Sequence, residues 1–230
     1  MFDGLLSTQG IVLRSIPFRE YDQILSVFTL EGGLIKIFYK GKRRCRKGGQ
    51  NGVVPLTLVE VVYRERRGEI FSCHELAVLE TFSLLRKELL FLHVACDLLQ
   101  VVLDSQWMGK SAPRLYALLC FYLKKIPFAP NPWVLSASFR LKLLVHDGIL
   151  SLPFICSVCE RHLKEVVFIS GDERRCVEHR LPDAVRWSFE ELSVVYRMTY
   201  AQSCREIFQN EISVELREKI FIFFDHCVGI

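Results

Sequence analysis

Along the first 80 residues hydrophobic and polar positions alternate with a period of two. In 33–40, Leu34, Lys36, Phe38 and Lys40 alternate with Ile35, Ile37 and Tyr39, the pattern of a strand with one face on a core. Runs at 10–14, 23–30 and 56–64, the last rich in β-branched residues, predict three more strands, and 70–79 a shorter fifth. Glu31-Gly32-Gly33 predicts a hairpin between the second and third. Five strands with no strong helical period among them predict a small closed barrel of the oligonucleotide-binding (OB) type, a mixed sandwich being the alternative.

From Thr81 the period lengthens to 3.6. Leu84, Leu85, Leu89, Leu92, Ala95, Leu98, Leu99, Val102 and Leu103 trace one apolar stripe, predicting a helix of about six turns. A second helix is expected over 112–124. Asn131-Pro132, an N-cap followed by proline at the first helical position, opens a third that stops at Gly148. Ser188 with Glu191 forms a capping box for a fourth, and Ser213 caps a last helix ending near Cys227. Residues 150–187 read as irregular. The expected fold is α+β: a five-stranded OB-type barrel over 1–80, then a helical domain over 81–230 with a zinc-finger-like insertion at 150–187.

Of the 230 residues, 50% are hydrophobic and 24% charged, which excludes a disordered chain. The net charge of +4 is unevenly spread: +3 over 1–80, +4 over 81–150 and −3 over 151–230. A basic front and an acidic back suggest an anionic partner at one end. The longest apolar run, 115–123, has nine residues, against about 18 for a membrane helix. The first residues lack the basic and apolar stretches of a signal peptide. A cytoplasmic protein is therefore expected, its nine cysteines being reduced thiols or metal ligands.

Cys156 and Cys159 form one knuckle; sixteen residues later, Cys176 and His179 form another. Two such pairs, each offering two ligands on a tight turn, match the tetrahedral demand of Zn²⁺, giving a Cys3His set. The competing explanation is coincidence in a chain with six other cysteines, and His162 is the rival fourth ligand. Four protein ligands imply a closed structural site.

No catalytic motif survives inspection, so an enzyme is not expected. Gly109-Lys110-Ser111 resembles the end of a phosphate-binding loop, but Asp104 stands where the motif needs glycine. His74 and Glu75 are adjacent and Pro153 is displaced from Cys156, unlike a zinc deaminase. By contrast, residues 40–47 carry six cations, Lys40, Lys42, Arg43, Arg44, Arg46 and Lys47, followed by Gly48-Gly49. A cationic loop leaving a strand beside Phe38 and Tyr39 is how sequence-neutral single-strand binders follow a backbone and stack bases. A merely solvated charged loop is the plainer explanation. With Arg14, Lys36 and Tyr39, these cations make the candidate DNA-binding set.

Residues 10–14 (Gly10-Ile11-Val12-Leu13-Arg14), 17–22 (Pro17-Phe18-Arg19-Glu20-Tyr21-Asp22), Ile24, Phe28-Thr29 and 39–44 resemble the opening of the RecO family of bacterial DNA repair proteins. Pro55-Leu56 and the run from Glu75 to Leu89 resemble that family's entry into its helical domain, and the knuckles fall where many members carry a zinc finger. His179 stands where the family's fourth cysteine is usual. The resemblance implies a nucleoid-associated recombination mediator of the RecF pathway. Such a protein binds single- and double-stranded DNA, anneals complementary strands, and helps RecR load the RecA recombinase onto strands coated by single-stranded-DNA-binding protein. It contacts the acidic, apolar C-terminal tail of that coating protein through its helical domain. The alternative from the residues alone is an RNA- or ribosome-associated barrel and finger module.

Overall fold

The computed structural model describes residues 4–41, 53–65, 68–150, 154–170 and 173–229. They form two compact units, 1–127 and 128–230.

The first unit is built on a closed barrel in the order β1-β2-β3-β5-β4: β1 (Leu5–Phe18), β2 (Asp22–Thr29), β3 (Gly33–Tyr39), β4 (Thr57–Arg64) and β5 (Ile70–Glu80). β1 runs well beyond the residues whose pattern predicts it. Its first half pairs with β4 and its second half with β2, and the register shifts between Val12 and Arg14. One strand thus serves two neighbours by bending at a bulge. Its ends were invisible in the sequence because Ser7, Gln9 and Pro17 are poor strand signals. The short parallel pairing of Lys36–Phe38 with Ile70–Ser72 closes the barrel. Val12, Leu25, Val27, Ile35, Ile37, Val59, Val61 and Tyr63 fill the interior, the inward half of each alternation.

Phe82 adopts a left-handed conformation, and Ser83–Arg86 form a single 3-10 turn. Helix α1 (Leu89–Ser105) therefore starts later than the leucine stripe predicts: Glu88, its N-cap, is extended. The continuous apolar spacing hid the extended residue that separates the 3-10 turn from the helix. Helix α2 (Pro113–Lys125) follows, with Tyr116 against Phe28 of β2, ring centroids 6.1 Å apart.

In the second unit α3 (Pro132–His146) is buried along most of its length and packs against α4 (Phe189–Tyr200), α5 (Cys204–Phe208) and α6 (Val214–Val228). The predicted caps form: Asn131 accepts from Trp133 N–H, and Ser188 and Glu191 make a reciprocal capping box. Lys142 of α3 donates to the carbonyls of Thr199 and Ala201 at 2.9 and 2.7 Å, satisfying the C-terminal end of α4. The stretch that reads as irregular holds a small antiparallel sheet of β7 (Glu173–Arg175), β6 (Val167–Ser170) and β8 (Val185–Trp187). These strands are too short to print a period on the sequence.

Candidate functional site

The two cysteine knuckles meet. One ligand atom from each of Cys156, Cys159, Cys176 and His179 lies within 4.8 Å of all the others. Cys159 and Cys176 sulfurs are 3.9 Å apart, and His179 Nδ1 lies 3.8 Å from Cys156 Sγ and 3.2 Å from Cys176 Sγ. A tetrahedron with metal–sulfur bonds of about 2.3 Å has edges of about 3.8 Å, so the donor set fits a single metal ion.

Local backbone chemistry makes each knuckle. Cys156 N–H donates to the Arg161 carbonyl and Glu160 N–H to the Cys156 carbonyl, both at 3.0 Å, while Glu160 takes the left-handed conformation that turns the chain. In the second knuckle β7 delivers Cys176, and a 3-10 turn brings His179 N–H to the Cys176 carbonyl at 3.1 Å. Ser157 joins the two: its N–H donates to the Arg174 carbonyl at 2.8 Å and its hydroxyl accepts from Arg174 N–H at 3.2 Å. Sequence spacing showed the clustered donors but not this clip, since a serine between cysteines carries no signal of its own. Burial favours the neutral Cys156 thiol, but N–H groups of Cys159, Val158 and Cys176 directed at its sulfur outweigh that and hold its pKa down to about 5. It is thus thiolate-ready, as a metal ligand must be. His162 is exposed, bridged to Ile155 on the first knuckle, and not among the clustered donors.

The barrel presents a different chemistry. Strand register places Arg14, Ser26 and Lys36 in one row across β1, β2 and β3, with Ile16, Ile24 and Phe38 in the next row but one. Arg14 is exposed and reaches Gln100 of α1 at 3.4 Å; Lys36 faces Glu69 at 3.8 Å in an exposed pair. Phe18 meets Phe38 edge-on, ring centroids 5.7 Å apart, and Arg19 lies over Phe18 at 5.3 Å. Tyr39 belongs to the opposite parity and packs against the barrel interior, so the outward ring on β3 is Phe38. Lys40 is exposed beyond the strand end. Lys42, Arg43, Arg44, Arg46 and Lys47 lie outside the described residues.

The stems of that basic segment are fixed by two adjacent side chains. Asp22 accepts from Gly41 N–H at 3.3 Å. Gln23 accepts from Val53 N–H at 2.8 Å and donates to the Val53 carbonyl at 3.2 Å. Gly41 also packs so closely that a Cβ there would sit 1.7 Å from the Tyr21 carbonyl oxygen. Asp22 and Gln23 are positioning residues that sequence reading passed over, because nothing in a strand's pattern marks a side chain that binds a distant backbone.

A closed five-stranded barrel with cations and rings on its outer face, in a chain that also holds a Cys3His cluster, defines an OB-type protein with a knuckle pair whose donors fit a metal ion. The family described as recombination protein O N terminal matches residues 1–82, which are the barrel. Over 217 residues the chain is 28% identical to a protein of Chlamydia pneumoniae named DNA repair protein RecO, spanning 94% of this chain and 86% of that one. A Chlamydia muridarum protein of the same name is 24% identical over 94% of this chain and 92% of its own. One from Syntrophobacter fumaroxidans is 28% identical over 68% and 62%. The barrel thus matches the N-terminal domain of the RecO family, and most of the chain is similar to proteins named DNA repair protein RecO. Among the described residues no helix is long and apolar enough to cross a membrane.

Proposed function

We propose that this chain works in DNA repair as a recombination mediator, acting by binding and not by catalysis. In this reading residues 1–80 are its nucleic-acid-binding domain, and 81–230 its helical domain, with the finger inserted at 150–187. The observation that carries it is the barrel face: Arg14 and Lys36 share a row two residues along from Phe38, Phe38 meets Phe18 edge-on with Arg19 over Phe18, and β3 leads into the basic run, whose flanking residues Gly41 and Val53 are tied to β2. The whole-length likeness to proteins named DNA repair protein RecO supports it.

Cations at fixed spacing neutralise phosphates and exposed rings stack bases, which is sequence-neutral single-strand binding. Lys42, Arg43, Arg44, Arg46 and Lys47 supply further phosphate contacts in this reading, with Tyr39 supporting β3 from inside. Two complementary strands repel through their phosphates; a shared cationic surface lowers that repulsion, so annealing follows from the same chemistry that binds one strand. Cys156, Cys159, Cys176 and His179 hold a structural Zn²⁺ that ties the finger together. The second unit offers a groove of about 310 Å³ lined by Phe154, Leu163, Phe189, Leu192, Tyr196, Lys164 and Arg197 among others. An apolar floor with two cations suits an acidic, apolar peptide such as the tail of the single-stranded-DNA-binding protein. RecR and, through it, RecA are the remaining partners of this reading, which places the protein in the cytoplasm at the nucleoid.

The test is annealing of complementary strands coated with single-stranded-DNA-binding protein, with and without this chain. Acceleration is expected. No acceleration, with binding that RNA competes away more strongly than DNA, would replace the reading by an RNA-associated module.

A further inference from the structure

The tripeptide Gly109-Lys110-Ser111, set aside as a nucleotide loop, belongs to a turn with other chemistry. Between α1 and α2 the chain passes along the barrel. Gly109 N–H donates to the Leu34 carbonyl at 2.8 Å, and Met108 bridges Leu34 in parallel. Since β2 pairs with all of β3, this strap occupies the same edge of β3 as β5, which joins at Lys36. Lys110 N–H closes the turn on the Trp107 carbonyl at 3.4 Å. The support is rigid: Gly33 lies so close beneath that a Cβ would fall 1.9 Å from the Lys110 carbonyl oxygen.

Trp107, carried by this turn, is 77% exposed, and among the described residues it makes no ring contact or side-chain hydrogen bond. A stiff backbone thus holds a large aromatic ring in solvent, beside the partly exposed Met108, where a base can stack on it. The chain that carries it is cationic beyond Asp104. From residue 105 to 127 the chain has Lys110, Arg114, Lys124 and Lys125 and no acidic residue. Lys124 is engaged by Glu80 at 3.3 Å, whereas Lys110 and Arg114 are exposed.

We infer that the strap is a second single-strand platform, on which Trp107 stacks one base while Lys110 and Arg114 hold the flanking phosphates. It rests on the nucleic-acid reading above. β3 separates the strap from the stem of the basic run, a length of about 23 Å at 3.3 Å per residue, within reach of the roughly 4–16 nucleotides that one barrel of this type covers. A strand gripped at both ends of β3 is held in extended form with its bases outward, as pairing with a complement requires.

The test titrates the full chain with an oligo-dT strand, reading anisotropy and tryptophan emission. Trp107→Ala should bind roughly tenfold more weakly, the effect of losing one stacked base. It should also lose most of the emission quenching, since Trp187 is buried and the half-buried Trp133 is packed between Phe221 and Arg217, and melt like the wild type. Its salt slope should be unchanged, because the ring carries no charge. Trp107→Phe should restore most of the affinity without the quenching. Lys110→Ala should instead flatten the slope by about 0.7. Wild-type affinity or persistent quenching in Trp107→Ala would overturn the inference, as would quenching of Trp107 by an acidic peptide and not by DNA. If Trp107→Ala binds normally while replacing Lys42, Arg43 and Arg44 abolishes binding, only this inference falls. If the wild type binds no strand, the functional reading falls with it.

Discussion

Single residues decide the chemistry of the finger. Cys156 is surrounded by N–H groups that hold its thiolate, and the other three donors stand at metal-ligand separations from one another. Because metal binding free energy is folding free energy in such a segment, Cys156→Ser and Cys176→Ser should each abolish the one expected equivalent of bound Zn²⁺ and expose 154–187 to protease. His179→Ala should behave alike and His162→Ala should keep its metal, as metal analysis of the purified variants would show. Full occupancy in His179→Ala would remove His179 from the ligand set. The cluster of four donors was legible in the sequence because spacing alone brings paired donors onto tight turns. The clip through Ser157 and the stems held by Asp22 and Gln23 were not, because each is a contact between a common side chain and remote backbone.

At the scale of elements, the hairpin between β2 and β3 shows how a local signal acquires a tertiary role. Glu31-Gly32-Gly33 reads as a turn, and it is one: Thr29 caps it, its hydroxyl donating to the Gly33 carbonyl at 2.9 Å and accepting from Gly32 N–H at 3.1 Å. Gly33 has φ +65° and also gives passage to the strap carrying Trp107. Gly33→Ala therefore meets both a left-handed backbone and a clash with the Lys110 carbonyl. A loss of more than about 2 kcal/mol is expected, measured by urea unfolding. By contrast Gly148→Ala, with nothing within 4 Å of its Cβ, should lose only about 1 kcal/mol from its φ of +77°. The leucine stripe from Leu84 shows the opposite case, a clean local period that the extended Glu88 interrupts between a 3-10 turn and α1.

Across the whole chain, the uneven charge has its consequence in salt dependence. Each phosphate neutralised on a single strand adds about −0.7 to the slope of log affinity against log salt. Replacing Lys42, Arg43 and Arg44 by Ala should flatten that slope by up to about two units, equally for all sequences and with little change in stability. An unchanged slope would make the run a solubilising face, and a sequence-dependent loss would mean that it reads bases. The barrel, most of the helices and the donor set were written in the sequence itself, because periods of 2 and 3.6, cap residues and knuckle spacing act over neighbouring residues. Tertiary structure alone decided what depends on residues far apart in the chain. Strand register aligned Arg14 with Lys36 and turned Tyr39 inward while Phe38 faced out. Closure of the barrel laid the α1–α2 connection along β3 and left Trp107 in solvent, a position fixed by backbone hydrogen bonds that no local pattern encodes.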